Sequence, residues 1–385
     1  MNFFYDALVP FGERWVIHMK VLYFTNIPVP YRMQFFNELG KYCELTVMME
    51  SEYAGNLNAD WLKRFKARNY EYIVLPKIGR TSKTRINYGY GKKILKEKYD
   101  IIVVGSYYSL SAMIFITFLR KHRIPYILNS DGGFVKDDNK VTYAVKKHFI
   151  SKAAAYITTG ELTTKYLIHY GADSRFFNIS FSSLTEKDIS ELGNQKYDKS
   201  FYRNKLGIEG EKVVLYAGQF IHRKGIDVLL NAIHTVKSRC VVYIVGGEPT
   251  DEYKAIVKKY NLNNVVFVAF QDKKGLVEYY RAADVFVLPT REDIWGLVVN
   301  EALGMGVPVI TTNRCIAGVE LINGVNGKIV PVGDSEKLAE AIDEIIGNDA
   351  GYHDRCKEAM KSVQNYTIEN MAREHYNCFC EMELK

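Results

Sequence analysis

Two loop segments carry the residues whose types and spacing could do chemistry. In DVFVLPTREDIWGLVVNEALGMGVP (284–308) an apolar strand runs to Pro289, a charged loop follows, and helical periodicity begins near Gly296. A glycine at a loop-to-helix transition lets a phosphate approach unpaired backbone N–H groups, and the helix dipole favours the negative charge. Asp293 precedes that helix start and Glu301 lies five residues into the helix. A carboxylate accepts paired hydrogen bonds from vicinal sugar hydroxyls. Two such acids flanking an anion-binding helix start suit a nucleotide sugar, one for each sugar unit. Taken singly, the same residues describe an acid complementing the dipole and a solvated glutamate. In VLYAGQFIHRKGIDVLL (214–230) a strand, Gly218 and a polar loop lead to Arg223, Lys224 and Gly225 at the head of a second helix. Cations there oppose the dipole unless an anion is present. An adjacent Arg and Lys would neutralise a diphosphate; the alternative is a solvated basic turn.

The elements that position these loops follow a repeated pattern. KVLYFTNI, ELTVMM, YEYIVL, DIIVVG, PYILNS and AAAYITT alternate with helical segments in the first half. KVVLYAGQ, CVVYIVGG, NVVFVAF, ADVFVLPT, PVITT and GKIVPV do so in the second. Strands apolar throughout are covered on both faces, and their alternation with helices implies parallel sheets of the doubly wound kind. The fold class is therefore α/β, with two Rossmann-like domains and a cleft between them. The polar stretch 184–211 has the composition of a linker. The expected domains are 1–190 and 191–365, with a C-terminal helix over about 366–385 that packs back on the first. Ligands in such sheets sit at the carboxyl ends of the strands.

Composition excludes several classes. Hydrophobic residues make up 48% and charged residues 25% of the 385, which disfavours disorder, collagen and coiled coil. Six scattered cysteines give no CxxC pair and no zinc spacing, and suit a reducing, cytoplasmic setting. No metal site is expected; the acidic pair Asp137-Asp138 reads as a surface turn. Residues 101–119 are uncharged and long enough for a membrane span, but Gly105, Ser106, Ser109 and Ser111 break the run into strand, turn and helix. The N-terminal 1–18 reads either as an extension upstream of Met19 or as a short amphipathic segment. No GxGxxG follows a strand, which disfavours a dinucleotide dehydrogenase.

Together the two loop segments resemble the retaining glycosyltransferases of family four, with the two-Rossmann architecture called GT-B. The resemblance rests on Gly218, Lys224 and Gly225, on an E-x7-E-like pair from Asp293 to Glu301, and on GVNGKIVPV (324–332). NIPVPYRMQFFNELGKYCELTV, NSDGGF and the YGA at 170–172 resemble a bacterial surface-polysaccharide subgroup. The resemblance implies that Lys224 and Arg223 hold a donor diphosphate, and that the amides of Gly296, Leu297 and Val298 contact phosphate and sugar. It implies that Glu301 holds the ribose hydroxyls and that Asp293 faces the donor sugar. Gly246, Gly247, Phe270 and Gln271 would border the nucleobase. There are three departures. Asp293 replaces the usual Glu, with Glu292 beside it as the other candidate; Gln219 stands where many relatives have an Arg; and Asp131 stands where many have a His. The implied reaction moves a sugar from a UDP- or GDP-linked donor to an acceptor hydroxyl, with retention and no metal or further cofactor. The acceptor would be a lipid-linked or growing glycan. A sugar-nucleotide epimerase and a non-catalytic protein binding an anionic ligand are the rival readings.

Charge is unevenly spread. Residues 1–190 hold 27 basic and 17 acidic side chains, against 24 and 27 in the remainder. Twelve Lys and Arg and only Glu71 and Glu97 lie between Lys63 and Lys98, with Tyr70, Tyr72, Tyr88 and Tyr90 interleaved. No RNA- or DNA-binding signature accompanies them. The cluster is expected either to dock peripherally on anionic lipid at the inner face of the plasma membrane, where salt would release it, or to be a solvated face.

Overall fold

The computed structural model describes residues 8–11, 14–17, 19–52, 67–79, 84–193, 198–208, 212–347 and 350–383. The chain divides into two units, Met1–Phe181 with Ile368–Lys385, and Ser182–Thr367. The break at Phe181 corrects the expected boundary after residue 190. The polar composition of 184–193 hides a helix, Glu186–Gly193, that belongs to the second unit. Leu184 and Ile189 lie against Gly304 of that unit, and Asp188 pairs with Lys273 at 2.7 Å.

The first unit begins with an antiparallel hairpin, β1 (Leu8–Phe11) and β2 (Arg14–Ile17). β3 (Lys20–Thr25), β4 (Glu44–Met49) and β5 (Glu71–Val74) follow, then a small hairpin of β6 (Lys77–Ile78) and β7 (Ile86–Asn87). β8 (Ile101–Val104), β9 (Ile127–Ser130), β10 (Ala155–Thr158) and β11 (Arg175–Asn178) complete a parallel seven-stranded sheet of order β11-β10-β9-β8-β3-β4-β5. β3, β4 and β8–β10 are buried along nearly their whole length, as apolar runs covered on both faces must be. Leu22, Phe24, Val104, Phe115, Leu119, Leu128 and Tyr156 form the core of one layer, each such side chain contributing roughly 1.5–3 kcal/mol. The uncharged run 101–119 is β8 followed by a helix, Leu110–Lys121, capped by the Ser109 hydroxyl accepting from the Ala112 N–H at 3.0 Å. Among the described residues no helix is long and apolar enough to cross a membrane. The C-terminal helix Ile368–Glu383 packs on helix Pro30–Leu39, burying Met371, Cys378 and Phe379.

The second unit contains β12 (Val213–Ala217), β13 (Val241–Val245), β14 (Val265–Val268), β15 (Val285–Leu288), β16 (Val309–Thr312) and β17 (Gly327–Val330). They form a parallel sheet of order β14-β13-β12-β15-β16-β17. The order reverses between β12 and β15, which makes the carboxyl ends of these two strands the switch point at which ligands of such sheets bind.

Candidate functional site

The loops after β12 and β15 are the two singled out by sequence, and the fold stitches them together. The Thr290 hydroxyl donates to the Arg223 carbonyl at 3.0 Å and the Arg291 N–H to the same oxygen at 2.8 Å. The Arg291 guanidinium grips Asp227 with two hydrogen bonds, 2.8 and 2.6 Å, and reaches the His222 carbonyl at 2.7 Å. Residues His222–Lys224 form one 3-10 turn that ends at Gly225. Gly225 has φ +74°, and a Cβ there would fall 2.0 Å from the Pro289 carbonyl oxygen. Only glycine permits both the turn and this approach of the loops.

Within this frame Lys224 forms a direct ion pair with Asp293. Arg223 lies 3.6 Å from the same carboxylate and donates to the Glu292 carbonyl at 2.6 Å. Both members of the Lys224–Asp293 pair are close to nine-tenths buried, whereas Arg223 is exposed. Glu292 turns the other way and pairs with Arg314 at 2.8 Å. Asp293 is further fixed by its backbone, whose N–H donates to the Arg314 carbonyl at 2.8 Å. A helix then starts at Leu297 with Gly296 as its cap, in the left-handed region at φ +100°. The amides of Leu297 and Val298 are first-turn donors and have no intrahelical acceptor. Two cations, one acid and a helix start thus converge at the switch point, an arrangement able to hold an anion and a polyol side by side.

Glu301 is held apart from that pair. It accepts from the Ser183 hydroxyl at 2.9 Å and the Tyr280 hydroxyl at 3.2 Å, and burial pushes its pKa upward. Among the described residues no ion pair engages its carboxylate, whose ionised form is favoured by the two hydroxyls and by the more distant charge of Lys273. The Gly218 N–H donates to the Val245 carbonyl at 3.0 Å, and those of Gly246 and Gly247 to Val268 at 3.0 and 3.3 Å, which laces the ends of β12, β13 and β14. Phe270 and Gln271 follow β14, Phe270 half-exposed. Gln219 uses its carbonyl to accept from the Tyr216 hydroxyl at 3.0 Å.

In the first unit Asp131 sits just beyond the carboxyl end of β9. It is paired with buried Arg32 and accepts from Asn129 Nδ2 at 3.1 Å. Arg32 also donates to the Thr25 hydroxyl at 2.6 Å. Asn129 Oδ1 is 3.1 Å from Nε2 of His375, whose burial lowers its pKa to about 4 and keeps it neutral. Asp138 is engaged by Lys146 at 2.6 Å and by Tyr170. Among the described residues no group of three His, Cys, Asp or Glu side chains is arranged to hold a metal. Sequence reasoning missed Arg291 and Asp227, the hydroxyls of Ser183 and Tyr280 around Glu301, and Arg32 behind Asp131. Only the REDIWG loop itself pointed to the first of these.

The geometry separates the two neighbouring acids by experiment. Asp293→Asn should cost about 1–3 kcal/mol, because Lys224 keeps its charge in a buried place without a charged partner. Glu292→Gln breaks a partly exposed pair worth about 0–1 kcal/mol. Thermal melts of the two variants measure the difference, and the reverse ranking would reassign the acid.

Residues 198–363 match the family model of the Glycosyl transferases group 1. An uncharacterized 41.2 kDa protein in the cps region of Klebsiella pneumoniae is 33% identical over 157 residues, 40% of this chain and 43% of that one. The uncharacterized glycosyltransferase MJ1607 of Methanocaldococcus jannaschii is 25% identical over 304 residues, 74% and 75% of the two chains. The capsular polysaccharide biosynthesis glycosyltransferase CapM of Staphylococcus aureus is 28% identical over 182 residues, 46% of each. The chain therefore spans less than half the length of the Klebsiella and Staphylococcus relatives. Among solved structures, a glycosyltransferase from Rickettsia africae superposes with TM-score 0.74 at 16% identity, covering 95% of this chain and 99% of that one. Anabaena HepE in complex with UDP does so with TM-score 0.72 at 17% identity, covering 94% and 100%. At these identities the likeness is one of fold, the two Rossmann-like units of GT-B.

Proposed function

We propose that this chain is a retaining glycosyltransferase of family-four type. It would move a sugar from a UDP- or GDP-linked donor to a hydroxyl of a lipid-linked or growing glycan in surface-polysaccharide synthesis. The observation that carries the reading is the convergence of Arg223, Lys224 and Asp293 beside the Gly296 helix start, at the switch point of a sheet lying in the segment that matches the Glycosyl transferases group 1. The capsular relative by its name, and HepE by its bound UDP, support the substrate class.

In this reading Lys224, Arg223 and the amides of Leu297 and Val298 stabilise the departing diphosphate, the main electrostatic contribution to rate. Asp293 accepts from the donor sugar and Glu301 from the ribose. Gly246, Gly247, Phe270 and Gln271 border the base. Asp131, held by Arg32, accepts from a sugar hydroxyl on the side of the first unit. Cations of the first unit place the chain at an anionic cytoplasmic membrane surface, where a lipid-linked acceptor resides.

Thermal melts with UDP, GDP and their sugars test the donor assignment. A ligand at 100 times its Kd adds about 2.7 kcal/mol of stability, and no shift with any of them would overturn it. Charge neutralisation is assigned to side chains and the helix start, so transfer should proceed unchanged in excess EDTA. Loss of activity that Mg²⁺ restores would refute that assignment.

A further inference from the structure

The hairpin of β6 and β7 is built inside out for a surface element. Its register pairs Lys77 with Asn87 and Ile78 with Ile86, and the Tyr88 N–H extends the ladder by donating to the Pro76 carbonyl at 3.1 Å. Residues opposite one another share a face, and alternate residues share the same face. One face therefore carries Lys77 and Asn87, the other Pro76, Ile78, Ile86 and Tyr88. On the polar face Asn87 points inward, while Lys77 lies exposed at its edge. Asn87 is buried, its amide donates to the carbonyls of Glu50 and Leu75 at 3.0 and 3.1 Å, and its N–H donates to the Ser111 hydroxyl at 3.1 Å. Lys77 reaches the Ser51 hydroxyl at 3.3 Å. The apolar face points out, with Ile78 67%, Ile86 37% and Tyr88 50% exposed. A one-residue slip would reverse the faces, and the bonds of Asn87 forbid it.

We propose that this hairpin is an apolar wedge that inserts into the interface of an anionic bilayer. The choice of partner rests on the lipid-linked acceptor reading above. Charge favours a bilayer. Helix Tyr90–Glu97 follows the hairpin, buries Tyr90 and Ile94, and exposes Lys92, Leu95 and Lys96, with Lys98 just beyond. Two of the acids nearby, Glu71 and Glu97, pair with Lys93, at 3.5 and 2.9 Å, and the exposed Lys92, Lys96 and Lys98 can face phosphate. Size favours it too. Among the described residues the face has four side chains, few against the roughly 20–30 residues a side of a stable protein interface, whereas a few apolar groups beside lysines and a tyrosine suffice for interfacial docking. Salt screens the lysines but not the isoleucines, so a salt wash alone should not release the protein completely.

The test is co-sedimentation of the full chain with vesicles of POPC and POPG (1:1) and of POPC alone, at about 0.1 M and about 1 M NaCl. Wild type should bind the POPG vesicles and retain a fraction at high salt. Ile78→Ser with Ile86→Ser should reduce partitioning about tenfold or more with an unchanged thermal melt. Tyr88→Trp should gain emission that brominated lipid quenches. Binding of the double variant equal to wild type, an unquenched Trp, or no sedimentation of wild type overturns the proposal. A dimer mass by light scattering that the double variant converts to monomer, without vesicle binding, overturns it in favour of a second copy of the chain. UDP- and GDP-induced melting shifts, measured on the same samples, report the donor site. Vesicle binding without those shifts sinks the donor assignment and leaves the wedge standing.

Discussion

Lys224→Ala is expected to slow sugar transfer about 100-fold or more and to destabilise the second unit at the same time. The two effects have different origins. The ammonium pairs with Asp293 where both side chains are nearly nine-tenths covered, and removing one partner of such a pair leaves the other as an uncompensated charge, at a cost of up to about 3–5 kcal/mol. Arg223 at 3.6 Å from Asp293 recovers part of that loss. In the proposed reading the rate effect comes instead from losing a cation that stabilises the departing diphosphate. The double variant Lys224→Ala with Asp293→Ala separates them. With both charges gone the desolvation penalty vanishes, so the melting temperature should return toward that of wild type while turnover stays low. Recovery of turnover along with stability would mean that Lys224 is a structural cation only.

Glu301→Gln is expected to weaken nucleotide binding about 10- to 100-fold, the equivalent of a hydrogen bond to a charged acceptor, without destabilising the protein at neutral pH. Burial raises the Glu301 pKa because the ionised form is poorly solvated, and the hydroxyls of Ser183 and Tyr280 with the charge of Lys273 offset that only in part. A raised carboxyl pKa means that ionisation disfavours the folded state. The penalty is present above the folded pKa and disappears as pH falls through it, when the folded protein takes up its proton first. Gln carries no such penalty. The melting temperature of Glu301→Gln minus that of wild type should therefore be largest at neutral pH and shrink on acidification. Calorimetry across that range checks the sign, and UDP or GDP titration checks the affinity.

The strands were legible because each is a short apolar run between polar segments. β3, β4, β8, β9, β12, β13, β15 and β16 coincide with runs that the pattern alone picks out. β11 was not legible; RFFN has a charged and a polar end and lies at the sheet edge, where its residues are half-exposed. The β6–β7 hairpin escaped because two-residue strands leave no periodicity to read, and its isoleucines face the wrong way for the usual rule. The placement of Asp293 next to Lys224 was legible only as a motif, since 69 residues separate them in sequence. The partners that tune the acids were beyond reach for the same reason. Ser183 lies 118 residues from Glu301, and Arg32 lies 99 from Asp131. Composition misled at the unit boundary, where charged residues 186–193 form a helix rather than an irregular connector.

The return of the C-terminal helix to the first unit reverses the order in which the two units reach completion on the ribosome. Residues 182–367 are contiguous and can close their core as soon as they emerge. The first unit is split in the chain, and its earlier strands must wait for Ile368–Glu383. His375 then meets Asn129, Tyr376 stacks on Tyr42, and Glu374 accepts from the Ser180 N–H at 2.6 Å. Until then the surface of helix Pro30–Leu39 that packs against the C-terminal helix, with Phe35 against His375, stays open to solvent, an apolar patch of the kind that chaperones bind during synthesis. A chain truncated after residue 367, once fully released, should consequently be protease-sensitive in the first unit and resistant in the second, although the first comes earlier in the sequence.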